Sequence, residues 1–124
     1  MLDRGLAVAL SALAQTSAIP VEVRVGMAER PSPAIEAIAY FCASELLANV
    51  AKHSGARGAE ISARGQDGRL LMTVSDDGGG NARVTPGGGL AGLAERVRTV
   101  DGRLGIHSPP GGPTVITVEL PGRA

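Results

Sequence analysis

Leu70-Leu71-Met72-Thr73-Val74-Ser75-Asp76-Asp77-Gly78-Gly79-Gly80 runs from a strand-like stretch into an acid-led glycine turn. A few residues on, Gly87-Gly88-Gly89-Leu90-Ala91-Gly92-Leu93 opens a helix-like stretch. An ionised carboxylate is an acceptor only, so Asp76 at a strand end can accept a hydrogen bond from an exocyclic amine. Gly78 and Gly80 leave the backbone open to a flat ring. The start of a helix can hold phosphate oxygens on its free N–H groups. Together the two turns can grip both ends of a nucleotide. Singly, each also reads as ordinary structure: a β-turn at Asp76 to Gly80 and a hinge at Gly87 to Gly92.

Working outward, Ala59 to Ala63 and Leu70 to Ser75 form a strand pair, with Gly65-Gln66-Asp67-Gly68 as the hairpin signal. Residues 3–17 carry Leu6, Leu10 and Leu13 at helical spacing. Val21-Glu22-Val23-Arg24-Val25 alternates as a half-buried strand does, and Gly26 follows it. Pro31-Ser32-Pro33 predicts a helix start, and the helix runs from Ala34 to about His53. Leu90 to about Val100 predicts a third helix. Asp101-Gly102 then turns the chain into Arg103 to His107, and Thr114 to Leu120 is the last strand. The order α-β-α-β-β-α-β-β lacks strict β-α-β alternation. It predicts an α+β fold with helices on one face of a mixed or antiparallel sheet.

The chain has 124 residues, enough for one domain, and 12 basic residues balance 12 acidic ones. A basic footprint for nucleic acid is absent at the level of the whole chain. One Tyr, one Phe and no Trp leave no aromatic platform for stacking bases. A single cysteine, Cys42, excludes an internal disulfide and suits a small apolar packing role. No stretch approaches the roughly 20 apolar residues that span a bilayer. His53 and His107 have no companion acids at ligand spacing, and Ser44, Ser54, Ser75 and Ser108 lack a nucleophile-elbow context.

On the long helix, Glu45, Asn49 and Lys52 fall within an arc of about 60°. They lie beside the apolar stripe Ile35, Ala39, Cys42, Leu46 and Val50. A carboxamide oxygen suits Mg²⁺, a carboxylate can hold a water or accept a proton, and an ammonium adds charge for phosphate. The same residues also read as a solvated helix face, and His53 as a cation at a helix C-terminus. Gly87 to Gly92 lacks the Lys-Ser/Thr ending of a P-loop. It also follows a polar link where a dinucleotide fingerprint would need a strand.

In this order, the elements resemble the ATP-binding catalytic domain of bacterial sensor histidine kinases, of the superfamily that includes gyrase B and Hsp90. Glu45 to His53 looks like its N box, Asp76 to Gly80 its G1 box and Gly87 to Leu93 its G2 box. Leu2 to Leu6, Gly92 to Val97 and Val118-Glu119-Leu120-Pro121 are similar to the subfamily paired with LuxR-type response regulators. The resemblance implies a two-layer α/β sandwich, the Bergerat ATP-binding fold, with about five strands and about three helices. It implies one domain over residues 1–124, in which residues 1–17 hold the end of a linker from a dimerisation and phosphoacceptor domain.

Roles follow from the resemblance. Asn49 would ligate Mg²⁺, with Lys52 and His53 near the phosphates. Asp76 would bind the adenine amino group, with Gly78 and Gly80 shaping that wall and Thr114 supporting the acid. Gly87, Gly88, Gly89, Leu90, Gly92 and Leu93 would form the lid hinge and phosphate cradle. Glu45 would act as a base or order a Mg²⁺-bound water. Implied partners are ATP, the phosphoacceptor domain and a response regulator, in a cytoplasmic, monomeric fragment with no direct nucleic-acid contact and no membrane insertion. Gly112-Pro113-Thr114 stands where a glycine-threonine pair is usual. An anti-sigma-type serine kinase and a non-catalytic nucleotide sensor are the alternatives.

Overall fold

The computed structural model describes residues 5–51, 55–78 and 89–122. The expected linker segment at 2–4, the link at 81–86, Lys52, His53, Gly80, Gly87 and Gly88 lie outside them. The element order is the expected one: α1 (Leu6–Gln15), β1 (Val21–Met27), α2 (Pro33–Asn49), β2 (Ala59–Gln66), β3 (Arg69–Asp76), α3 (Gly89–Arg98), β4 (Arg103–His107) and β5 (Thr114–Pro121). The strands form a five-stranded sheet in the order β1-β2-β3-β5-β4. Only β1 and β2 run parallel, with α2 as the crossover; the other neighbours are antiparallel.

Strand alternation explains the layering. The buried side chains of β3 are Leu70, Met72, Val74 and Asp76, and those of β5 are Thr114, Ile116, Val118 and Leu120. Register aligns them into rungs across the sheet. Val25, Ala63, Met72, Val118 and Leu104 make one rung, and Val23, Ile61, Val74, Ile116 and Ile106 the next. All three helices cover this face: α1 contacts β1, α2 contacts β3 and β5, and α3 contacts β4. Leu6, Leu10, Ile35, Leu46, Leu93 and Val97 fill the layer between. Ala39, Cys42 and Ala43 are fully buried on α2, so small side chains bring that helix close to the sheet. The opposite face is polar, with Arg69 paired to Glu119 and Arg24 to Glu60.

Local signals set the element ends. The hairpin turn is only Asp67-Gly68, with φ of 55° and 73°. Two left-handed residues are what a two-residue type I′ hairpin requires. Gly65, expected in the turn, belongs to β2, where its carbonyl accepts the N–H groups of Ala28 and Glu29. A Cβ on Gly65 would come within 2.5 Å of the Glu29 carbonyl oxygen. Gly26, expected after β1, also lies inside its strand, opposite Arg64. At the start of α2 the Ser32 hydroxyl accepts the Ile35 N–H, with Pro33 in the first turn. Glu36 in that turn is buried, and Arg30 meets its carboxylate at 3.2 Å, so the charge is paired. The α-helical part of α2 stops at Asn49, short of the expected His53, and loosens into a wider turn at Val50 and Ala51.

A clamp joins the approach to β2 to the end of β3. The Asp77 carboxylate accepts the N–H groups of Arg57 at 2.8 Å and Gly58 at 3.3 Å. These bonds, with the positive charge of Arg57, hold its carboxyl below the ordinary aspartate value of 3.8. A group with a depressed folded pKa contributes stability above its unfolded pKa and loses it as the pH falls through the folded value. Asp77→Ala is therefore expected to lower the melting temperature by an amount that is constant between about pH 8 and 5. That difference shrinks below about pH 3.8, as thermal melts of both proteins across pH would show.

Gly102 packs where no Cβ fits: one would lie 2.6 Å from the Glu119 carbonyl oxygen and 2.7 Å from Val97 Cγ1. Gly102→Ala is expected to cost about 1–3 kcal/mol in denaturant unfolding. Gly105→Ala, with nothing within 4 Å of the added carbon, should stay within about 0.5 kcal/mol of the parent.

Candidate functional site

The three rungs of the sheet nearest the hairpin turn are apolar, and the fourth is not. Ala59 pairs with Asp76, and Asp76 with Thr114. Asp76 is 7% exposed and Thr114 5%. These two polar side chains end the inner rows of adjacent strands, directly opposite each other and on the core face. Cross-strand partners place their Cβ atoms within roughly 5 Å. Asp76 Oδ1 accepts the Gly78 N–H at 2.8 Å, an Asx turn that holds the carboxylate against the backbone just past β3. On the other flank, Ser108 Oγ lies 2.6 Å from Thr114 Oγ1.

The second half of the site forms where α2 ends and α3 begins. Asn49 is the last residue of α2 and is half-buried. Gly89 is the first residue of α3. A Cβ built on Gly89 would lie 3.7 Å from Asn49 Nδ2 and 3.9 Å from Oδ1. The carboxamide therefore faces the bare α-carbon that starts α3. No acid occupies the first turn of α3, and Arg96 and Arg98 occupy its last turn. The arginines complement the helix dipole, and without an acid in the first turn its partial positive charge is left uncompensated within the helix. The N–H groups of that turn have no acceptor within the helix. Leu93 anchors α3 in the core at 2% exposure, Leu90 is half-buried, and Gly92 is exposed with open space around its α-carbon.

Further back, α3 is latched to α2. The Arg96 guanidinium carbon sits 4.2 Å from the centroid of the Phe41 ring, a cation–π contact. Burial pushes the neighbouring Cys42 thiol up to about 11, against a smaller opposing effect of Arg96, so the thiol stays protonated and packs as an apolar group.

The structure thus brings Asn49 to Gly89, and Asp76 to Thr114 and Gly78. Glu45 lies one turn before Asn49, exposed on α2. The positions expected at Lys52, His53, Gly80, Gly87 and Gly88 are outside the described residues. Two contacts escaped the sequence reading. Asp77 appeared there only as a turn residue, although an Asp beside a strand end is a common acceptor for loop N–H groups. Ser108 stands one residue past β4, just as Thr114 begins β5. Counting outward from the pairing of His107 with Val115 would have placed the two hydroxyls side by side.

Chemically, the site offers an acceptor-only carboxylate beside a hydroxyl at one end. At the other it offers a hard oxygen donor beside a positive helix start. Among the described residues no group of His, Cys, Asp and Glu could hold a metal by itself, and no helix is long and apolar enough to cross a membrane.

Residues 35–124 match the model of the histidine kinase-, DNA gyrase B- and HSP90-like ATPase family. The chain is 37% identical over 84 residues to the signal transduction histidine-protein kinase/phosphatase UhpB of Salmonella typhimurium, covering 64% of this chain and 16% of that protein. It is 34% identical over 89 residues to the sensor histidine kinase DesK of Bacillus subtilis, covering 69% of this chain and 24% of that one. The chain therefore spans less than a quarter of the length of either relative. In structure it is similar to the blue-light activated histidine kinase of Erythrobacter litoralis EL346. The TM-score is 0.69 at 20% identity, over 94% of this chain and 40% of that one. That likeness extends to the whole two-layer sandwich. The box order, the sheet topology and the family match converge: the chain belongs to the histidine kinase-, DNA gyrase B- and HSP90-like ATPases, as an ATP-binding domain of the histidine kinase type.

Proposed function

We propose that this domain binds Mg²⁺-ATP and donates the γ-phosphoryl group to a histidine on a separate dimerisation and phosphoacceptor domain, for relay to an aspartate of a response regulator inside the cell. The observation that carries this reading is the meeting of Asn49 with the start of α3 in a molecule whose sheet ends in the Asp76–Thr114 pair.

In this reading Asp76 accepts a hydrogen bond from the adenine amine, and Thr114 supports it. Gly78 and Gly80 leave room for the base. The N–H groups at the start of α3, from Gly89 through Leu90 to Gly92, cradle the phosphates, and Gly87 and Gly88 are assigned to the same cradle. Leu93 fixes that helix to the core, and Lys52 and His53 add charge nearby. Asn49 has the hard oxygen that Mg²⁺ prefers, so it would hold the ion. When bound, the ion supplies charge neutralisation on the phosphate oxygens. Glu45 holds a water near the phosphates or accepts a proton. The reaction breaks the bond from the γ-phosphorus to its bridging oxygen and forms a bond from phosphorus to an imidazole nitrogen, with ADP leaving. Catalysis is positioning plus electrostatics. His107 lies on the exposed face of β4, and in this reading His53 serves phosphate binding, so the acceptor imidazole is assigned to the separate domain.

Calorimetric titration with ATP, with and without Mg²⁺, tests the pocket. Asp76→Ala is expected to weaken binding about 10- to 100-fold in both conditions, the cost of a lost charge-assisted bond. Asn49→Ala should instead abolish the part of the affinity that depends on Mg²⁺. Unchanged affinity in both variants would refute the reading.

With γ-labelled ATP, the chain alone is expected to yield no phosphohistidine. Adding a histidine-bearing dimerisation domain of this kinase type should produce an acid-labile label on that partner. Abundant label on the chain by itself would contradict the assignment of the acceptor.

A further inference from the structure

The Phe41–Arg96 contact has no part in the roles above, yet it lies on the helix pair that carries the candidate metal and phosphate groups. Phe41, Glu45 and Asn49 follow at four-residue steps along α2 and form one ridge. Gly89, Gly92 and Arg96 fall within an arc of about 60° on α3. The two helices meet at both ends of this line. Asn49, at the end of α2, faces Gly89 at the start of α3. Phe41, about two turns earlier, lies under Arg96 in the last turn of α3. The helices therefore run antiparallel here. The rise from Phe41 to Asn49 is about 12 Å and that from Gly89 to Arg96 about 10.5 Å, so two rods are pinned at two matched points.

We infer that Phe41 and Arg96 are positioning residues for the nucleotide phosphates: their cation–π contact fixes how α3 is rolled against α2, and so where the N–H groups opening α3 stand relative to Asn49. This inference rests on the Mg²⁺-ATP reading. Leu90, Leu93 and Val97 hold α3 on the core along one stripe, about which a helix can still roll. On the arc beside that stripe, Gly89 and Gly92 bring no side chain that could interlock with the α2 ridge. Arg96 does bring one, and its guanidinium carbon sits 4.2 Å from the centroid of the Phe41 ring. A short helix turns as one body, so releasing Arg96 displaces Gly89 from Asn49. In the reading above, these two ends serve the same phosphates. Asp76 and Thr114 stand on the sheet and do not depend on the roll of α3. The latch therefore governs the grip on phosphate and leaves the grip on the base alone.

The test is titration of Mg²⁺-ADP, and of adenosine by displacement of fluorescent ADP, into the wild-type chain, Phe41→Leu, Phe41→Tyr, Arg96→Gln and the double variant Phe41→Leu/Arg96→Gln. Thermal melts confirm folding. Phe41→Leu keeps an apolar side chain and changes no charge. It is expected to weaken ADP about 2- to 5-fold, the worth of an exposed cation–π contact, and to leave adenosine unchanged. Phe41→Tyr keeps the ring and should keep the wild-type ADP affinity. Arg96→Gln should cost less in the Phe41→Leu background than in the wild type, because the latch is then already open. Were Phe41→Leu not to fold, Phe41→Met makes the same comparison. A folded Phe41→Leu or Phe41→Met with wild-type ADP affinity overturns the inference while leaving nucleotide binding intact. So does equal weakening of ADP and adenosine, a Phe41→Tyr as weak as Phe41→Leu, or strict additivity in the double variant. Where adenosine binds too weakly to titrate, the ADP affinities of the variants decide alone. A wild-type chain that binds neither ADP nor adenosine overturns the underlying reading, and this inference with it.

Discussion

The register of β3 against its two neighbours is the constraint on which the rest of the molecule depends. Side chains alternate along a strand, so a one-residue slip reverses every one of them. Slipped β3 would turn Leu70, Met72, Val74 and Asp76 to solvent and bury Arg69, Leu71, Thr73 and Ser75. The core and the polar end of the sheet would be lost together. Asp67 and Gly68 hold the register on one side, because their left-handed backbone closes the hairpin in two residues. On the other side the row from Leu120 to Thr114 matches β3 position by position. Asp76 is buried because it continues an apolar ladder, and it is polar where that ladder runs out.

The two ends of the sheet are built differently. At the hairpin end the backbone is tied across elements. Gly122 donates to Gly68, Ser32 donates to Gly122, and Ala28 and Glu29 both donate to Gly65. The buried Glu36 draws Arg30 onto the same corner. This ties the entry of α2, the turn of the central hairpin and the finish of β5 into one body. At the opposite end, among the described residues, Ala59 donates to the Pro20 carbonyl and Asp77 to that of Gly58. There α2 loosens, α3 begins on a glycine, and the Asp77 clamp holds the approach to β2 against the end of β3. The fixed corner on one side holds the frame on which Gly78 and Gly89 stand at the other.

Much of this was legible in the chain. The element order followed from periodicity and from proline and glycine punctuation, because those signals act within a few residues. The apolar stripe from Ile35 to Val50 is buried throughout, as its spacing required. What stayed hidden depended on distant partners. Gly65 looked like part of the turn; it is a strand residue because the Glu29 backbone passes over it. The parallel pairing of β1 with β2 leaves no mark in either strand. Asn49 and Gly89 were linked through a family resemblance, since nothing local says that the end of one helix meets the start of another. The hydroxyl contact of Ser108 exists only once β4 pairs with β5, and no property of an isolated Pro-flanked serine announces it.

The parallel β1–β2 pairing has a consequence for the order in which the chain assembles. The central hairpin closes over two residues, whereas Val21 must find Ala59 and Asp76 must find Thr114 across whole helices. Loop-closure entropy delays such remote pairings relative to local ones. The polar end of the sheet joins two such long-range pairings through Ala59 and Asp76, so it is completed late on the way to the native state. A molecule recognised there finds its seat only after the scaffold is made. It steadies the finished protein without seeding its formation.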